Sequence, residues 1–477
     1  MNVRLISPRE PSDPFLAELA RLESRLPAAA PPWLHAVRRR ALARFGERGF
    51  PGRRDEDWKY TDVSTIAERP LRVALPGDIK PGDIEPGHLG TGAAGIEAGR
   101  IENNNWGYYR YAGLECLELV FVNGHCVSTS ADIDYFYDRG ALPEGTSVAP
   151  LAAMLSDAPP MLRNSIQRMA DAPPDAFAAL NAAFTADGAY LAVPAGVALE
   201  VPVHLVFLSA AGDGPMASFP RIYIHLGQGA RASVIESYFG IDAQENLTSA
   251  VTEIIAAEGA RCDHYRIQRE HPRSYHVGRL SVSQARDSQV TSFSIACGAR
   301  LSRQNIAVRL EGEGASVALH GLYVGEGRRH VDHHTRIDHL VPHTHSEEHY
   351  KGVLDGRARG VFNGTVVVHP DAQKSEAHQS NHNLLLSGEA EIDTKPELQI
   401  HADDVICSHG ASVGRLDPDA LFYLCSRGIE APAARAILTQ AFIDEVLARL
   451  PIATVRLGLA RDLGSAETST EALSALI

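Results

Sequence analysis

Apolar positions near the N-terminus recur with a helical period. Phe15, Leu16, Leu19 and Leu22 share one face of a segment that Ser12 can cap. Pro31-Pro32 opens a second such segment carrying Trp33, Leu34, Val37, Ala41 and Leu42, and the run from Phe45 through Gly49 to Pro51 ends it. The stretch from Arg53 to Thr61 is polar with embedded aromatics, and on spacing alone it reads as a solvated loop or helix start. Between Glu68 and Arg100 repeated Pro-Gly pairs predict a loop-rich connection. A short strand is expected from Leu117, and a capped helix from Asp175 to Phe184.

From Ala189 the pattern changes and stays changed. Short strand-like runs follow one another, among them Val201 to Leu208, Arg221 to Leu226, Val317 to Val324 and Thr365 to Val368, with no long helical window between them. Many follow a glycine turn of similar form, at Gly229, Gly259, Gly298, Gly314, Gly356, Gly388 and Gly410. A glycine turn, a small residue and a short strand are what one coil of a solenoid needs, so a parallel β-helix is favoured; the irregular spacing keeps a β-sandwich or paired jelly rolls as the rival. After Arg415 the strands stop. Asp417 caps a helix with Pro418 at its first position, Gly428 ends it, and a second helix runs from about Pro432 to Leu450 with Ile437, Leu438, Ala441, Phe442, Val446 and Leu450 on one stripe. Four regions are expected: 1–100 helical and then loop-rich, 101–188 mixed, 189–415 the β core, and 416–477 helical.

Composition narrows the function. The chain has 477 residues and a net charge of −14, which repels phosphate backbones and anionic lipids, so neither nucleic acid nor a membrane is an expected partner. The N-terminal residues lack the apolar run of a signal peptide, and a cytoplasmic location is expected. Six scattered cysteines without a Cys-x-x-Cys pair argue against a zinc ribbon, a ferredoxin or a disulfide framework.

Twelve of the 21 histidines fall between His330 and His409. His343, His345 and Glu348 resemble half of a cupin metal site without its second half; Asp332-His333-His334 and the pair His378 and His382 are further ligand candidates, with structural histidine as the simpler reading of each. Cys407 and His409 stand two apart in an extended segment, so both project from one face. Either they point out of the solenoid and Ile406 points in, or the reverse. As structural residues they would be a small thiol and a hydrogen-bonded imidazole beside a turn at Gly410; as functional ones, a soft thiol and an imidazole presented together. No phosphate-binding loop and no nucleophile elbow is present, so any ATP hydrolysis is expected from another chain.

The runs Tyr350 to Gly364, Gln379 to Ser387, Asp393 to Ile400, Asp403 to Ala411 and Leu421 to Ile429 resemble the core of the SufB/SufD family of iron-sulfur cluster assembly proteins. Arg53 to Thr61 and Phe177 to Gly188 are similar to its SufD branch in particular. The resemblance implies a mainly β fold, a right-handed parallel β-helix flanked by N-terminal and C-terminal α-helical regions. It implies a non-ATPase scaffold subunit in a cytoplasmic complex, pairing with SufB through the β-helix and holding the ATPase SufC through the C-terminal helices, with a homodimer possible when isolated. It also places His409, with Cys407 as its neighbour, at the SufB interface, where a transient iron-sulfur cluster or iron would be held without any tightly bound cofactor. A SufB-like homodimeric scaffold and a carbohydrate-active β-helix enzyme are the alternatives.

Overall fold

The computed structural model describes residues 13–25, 31–78, 109–128, 142–171, 175–210, 212, 214–241 and 243–463. The expected Ser12 cap and most of the Pro-Gly stretch lie outside them.

The chain winds alternately through two parallel sheets. Leu247–Ala256, Tyr275–Gln284, Leu301–Leu310, His330–His339, Arg359–Val368 and Glu391–Ile400 stack in the first. Arg231–Gly240, Arg261–Arg269, Gln289–Ala296, Ser316–Gly325, His345–Leu354, Glu376–Leu385 and Ile406–Gly414 stack in the second. The result is a parallel β-solenoid of about seven turns. This excludes the sandwich: among the described strands, antiparallel ladders occur only at the N-terminal end, where Leu117–Val122 meets His125–Cys126 and Ser147–Pro150 meets Gly188–Val193.

Alternate residues of each strand face the lumen, where Val234, Cys262, Val290, Val317, Ile306 and Val366 form one continuous core. At Gly229, Gly259, Gly314 and Gly356 the backbone takes φ of +66°, +67°, +74° and +65°, a left-handed turn that a side chain would strain. Tyr275 stacks on Leu301 but Arg359 on Glu391, so coil length changes from turn to turn. That is why the glycine spacing is irregular. Gly410 departs from the expectation, since it lies inside the last strand and not in a turn.

The N-terminal helices Asp13–Arg25 and Pro32–Arg48, with Ala176–Phe184, cover the outer face of the first sheet through Phe177, Leu180, Phe184, Tyr223 and Tyr275. Asp175 caps the last of these by accepting from the amides of Phe177 and Ala178. The stretch expected to be solvated is exposed from Arg53 to Asp57 and at Lys59, but Trp58 and Thr61 are buried. A short turn at Glu56–Trp58 buries Trp58 against Phe177, ring centroids 5.4 Å apart, with the Arg303 guanidinium 3.9 Å from the Trp58 ring. Arg303 also donates to the Asp57 carbonyl at 2.7 Å and pairs with fully buried Asp332 at 2.6 Å. Local polarity hid these two buried positions because their partners, Arg303 over Trp58 and Asp332 at the Thr61 hydroxyl, lie far along the chain.

Past the last coil, Asp417 and Pro418 start the helix Pro418–Ser426, and Ala431–Leu447 follows. The second helix lays Ile443, Val446 and Leu447 on the outer face of the second sheet beside Tyr265, Phe293, Leu322 and Val353. Of the expected stripe, Val446 is buried and Ala441 is exposed. The first helix buries no residue, and Phe422 and Tyr423 are exposed. No helix among the described residues is long and apolar enough to cross a membrane.

Candidate functional site

The strand Ile406–Gly414 is the final rung of its sheet. It pairs with Glu376–Leu385, setting Cys407 over Ala377 and His409 over Gln379. Ala377 and Gln379 are buried lumen residues, so Cys407 and His409 share the inward face, and Ile406, 61% exposed, points out. Of the two orientations left open by the sequence, the structure takes this one. Cys407 is half-buried against the end of the core, and burial pushes its thiol pKa up, against the pull of the Ala377 amide. His409 is exposed, and among the described residues no coil follows to cover it. The free edge of this strand and the open lumen beneath it form one surface.

Directly below His409 the lumen is polar. Gln379 Nε2 donates to Glu348 Oε2 at 2.6 Å, and burial drives the Glu348 carboxyl up to about 7. Beside them Asn383 donates to Asn381 at 2.6 Å, Thr394 donates to the same Asn381 oxygen at 2.8 Å, and Asn381 donates to the Tyr323 hydroxyl at 3.1 Å. Deeper, His333 stands 3.2 Å from Ser294, its pKa pushed down to about 3 by burial and then by Arg266. Deeper still lie His276 with Glu270 at 2.7 Å and His264 with Glu236 at 3.0 Å. Several buried polar atoms along the lumen, namely both Arg266 Nη atoms, Gln304 Oε1, His333 Nδ1 and Gln379 Oε1, make no hydrogen bond among the described residues. A buried polar file therefore runs through the solenoid and ends under His409, where it can orient groups and hold or relay protons. The sequence reading missed it, although its signal was present as polar residues at every second position of strand-like runs.

The other candidates disperse. His343 sits exposed at a turn with φ +58°, His345 lies on the outer face near His378, and Glu348 points into the lumen, so no cupin-like set forms. Asp332 and His334 face outward, 3.1 Å apart, whereas His333 between them faces inward. His378 and His382 share the outer face, each with a serine hydroxyl, Ser408 at 2.8 Å and Ser412 at 2.7 Å.

Two family descriptions match this chain. "SUF system FeS cluster assembly, SufBD core domain" covers residues 207–442, and "SufBD protein N-terminal region" covers residues 15–77 and 113–205. The chain is 30% identical over 420 residues to an iron-sulfur cluster assembly SufBD family protein of Synechocystis, spanning 86% of each chain. It is 28% identical over 400 residues to the iron-sulfur cluster assembly protein SufD of Escherichia coli, covering 83% of this chain and 85% of that one. With the SufD of Bacillus subtilis it shares 29% over 283 residues, 58% of this chain and 64% of the relative.

Proposed function

The chain belongs to the SufBD family of the SUF iron-sulfur cluster assembly system, and from that premise we propose that it is the SufD-type scaffold subunit of a cytoplasmic SufBCD complex, building the cluster-forming interface with SufB. One observation carries this reading: Cys407 and His409 stand together on the uncovered terminal rung, beside a free strand edge. An edge of this kind invites another chain to pair, and natural proteins rarely leave one bare without covering it.

Iron or a nascent cluster is the cargo of such a site. The neutral imidazole of His409 offers iron a lone pair, and Cys407 supplies a soft donor once it gives up its proton. Two ligands are fewer than a stable cluster needs. A partner must provide the rest, which suits a scaffold that releases what it builds. The exposed Phe422 and Tyr423 on the helix Pro418–Ser426 support a docking role for the C-terminal helices toward the ATPase SufC. In this reading the chain hydrolyses no ATP itself.

The test is His409→Ala in the reconstituted three-component complex. Complex stoichiometry should be unchanged and cluster absorbance lost, with Cys407→Ser as companion because it keeps the size and removes the soft ligand. A His409→Ala complex that assembles and carries a normal cluster ends this reading, and one that fails to assemble assigns His409 to packing.

A further inference from the structure

A second group of soft and hard ligands lies at the opposite end of the solenoid. Cys116 immediately precedes the strand Leu117–Val122, and Glu118 stands two residues on, facing the same side. Across the parallel ladder Glu118 pairs with His204 of the strand Val203–Ser209. The Cys116 sulfur, one Glu118 oxygen and one His204 ring nitrogen all lie within 4.8 Å of one another. Such closeness suits a single ion coordinated by all three.

Two observations beyond this closeness point to a ligand. His204 is completely buried, yet among the described residues its Nδ1 makes no hydrogen bond, and Glu118 Oε2 is 3.6 Å away. Its Nε2 lies 2.9 Å from the Ser237 hydroxyl, and a proton held there leaves the Nδ1 lone pair aimed into the cluster. Buried imidazole nitrogens seldom go without a partner. The Tyr111 ring, centred 5.6 Å from that of His204, shields one side, while Cys116 and Glu118 are partly exposed and leave a way in. Arg110 donates to both Glu118 oxygens, at 2.8 and 3.0 Å, which fixes the carboxylate while leaving each oxygen a further lone pair.

We propose that Cys116, Glu118 and His204 form a three-ligand site for a divalent first-row transition ion, zinc or ferrous iron. Thiolate, imidazole and carboxylate are the donor set such borderline ions accept. On binding, the Cys116 S–H bond breaks, its proton passes to solvent and a sulfur-metal bond forms. Because Arg110 already pairs with the Glu118 carboxylate, the thiolate alone adds new negative charge and the loaded site keeps one net positive charge. The ion ties the segment before Leu117 to the first coil and keeps a fourth position open. This site is distinct from Cys407 and His409 and does not depend on them.

The full-length chain, stripped with chelator and kept reduced and anaerobic, is titrated with cobalt(II) alone. A thiolate-to-cobalt charge-transfer band should saturate at one equivalent, and competition with zinc(II) and with iron(II) then ranks the two candidate ions. Cys116→Ser should abolish the band, Glu118→Gln should weaken binding by at least about tenfold, and Cys407→Ser should leave both unchanged. Both site variants change partly exposed side chains, and circular dichroism of the metal-free proteins checks their fold. If Cys116→Ser fails to fold, Glu118→Gln alone decides. Absence of the band in the wild type, its survival in folded Cys116→Ser, its loss in Cys407→Ser, unweakened binding by Glu118→Gln, or failure of both zinc and iron to displace cobalt would each overturn the proposal.

Discussion

The two ends of the solenoid share one ladder and are finished differently. In a single inward column, Phe121 stacks on Phe207 with ring centroids 4.7 Å apart, and Phe207 on Tyr238 at 4.9 Å, closing the N-terminal end with aromatic rings. Followed to the other end, the same column passes through Gln268, Tyr323 and Asn383 and finishes at exposed Val413. The first end also has a hairpin at its strand edge; among the described residues no strand pairs beyond the last one at the second. Repeat folds need a finished cap where they meet water. An end that keeps a polar file and a bare edge lacks such a cap, and the proposed pairing with SufB would supply it.

Phe207→Ala removes the middle ring of the aromatic stack and should cost about 3–5 kcal/mol, whereas Val413→Ala in the same column should cost no more than about 0.5 kcal/mol. Chemical denaturation of the isolated chain measures both, and equal costs would mean that the ends are not different in kind.

The next effect is set by pH. Burial raises the Glu348 carboxyl from 4.5 to about 7 in the folded chain. Between those values the native state keeps a proton that the unfolded state has lost, so this group's contribution to stability falls as pH rises through the window and stays reduced above it. Glu348→Gln removes the penalty. Its stability relative to the wild type should be level near pH 4 and rise toward pH 8 by at most on the order of 3 kcal/mol. A flat difference across that range would show that the floor beneath His409 does not titrate.

The smallest effect on stability belongs to the exposed edge. Ile406→Asp should change the isolated chain by less than about 0.5 kcal/mol, yet abolish capture of SufB if that edge is the docking surface. Analytical gel filtration of the mixed chains reports it, and undiminished capture would move the interface elsewhere.

Much of the frame was legible from local chemistry. Asp175, Asp417 and Pro418 act within a turn of themselves, and the left-handed glycines at Gly229 and Gly356 need no distant partner to be recognised. What could not be read is what the winding brings together. Trp58 looked solvated because Arg303 and Asp332 lie many coils away, and Cys116 gave no hint of His204 for the same reason. For Cys407 and His409 the period of two showed that they share a face, but only the register over Ala377 and Gln379 says which face it is. Gly410 was misjudged because a glycine within a strand and one in a turn look alike when neither neighbour is known.

The parallel register of the last rung has one more consequence. Strand faces alternate strictly, so a chain that adds itself to Ile406–Gly414 can slide along it only in steps of two residues without turning its inward side chains outward. A slip of one residue would put the newcomer's water-facing groups over the lumen; a slip of two would carry its donors roughly 7 Å past His409. Any recognition at this edge would thereby be counted out in whole steps, and a partner set a single step wrong would be out of reach of the imidazole altogether.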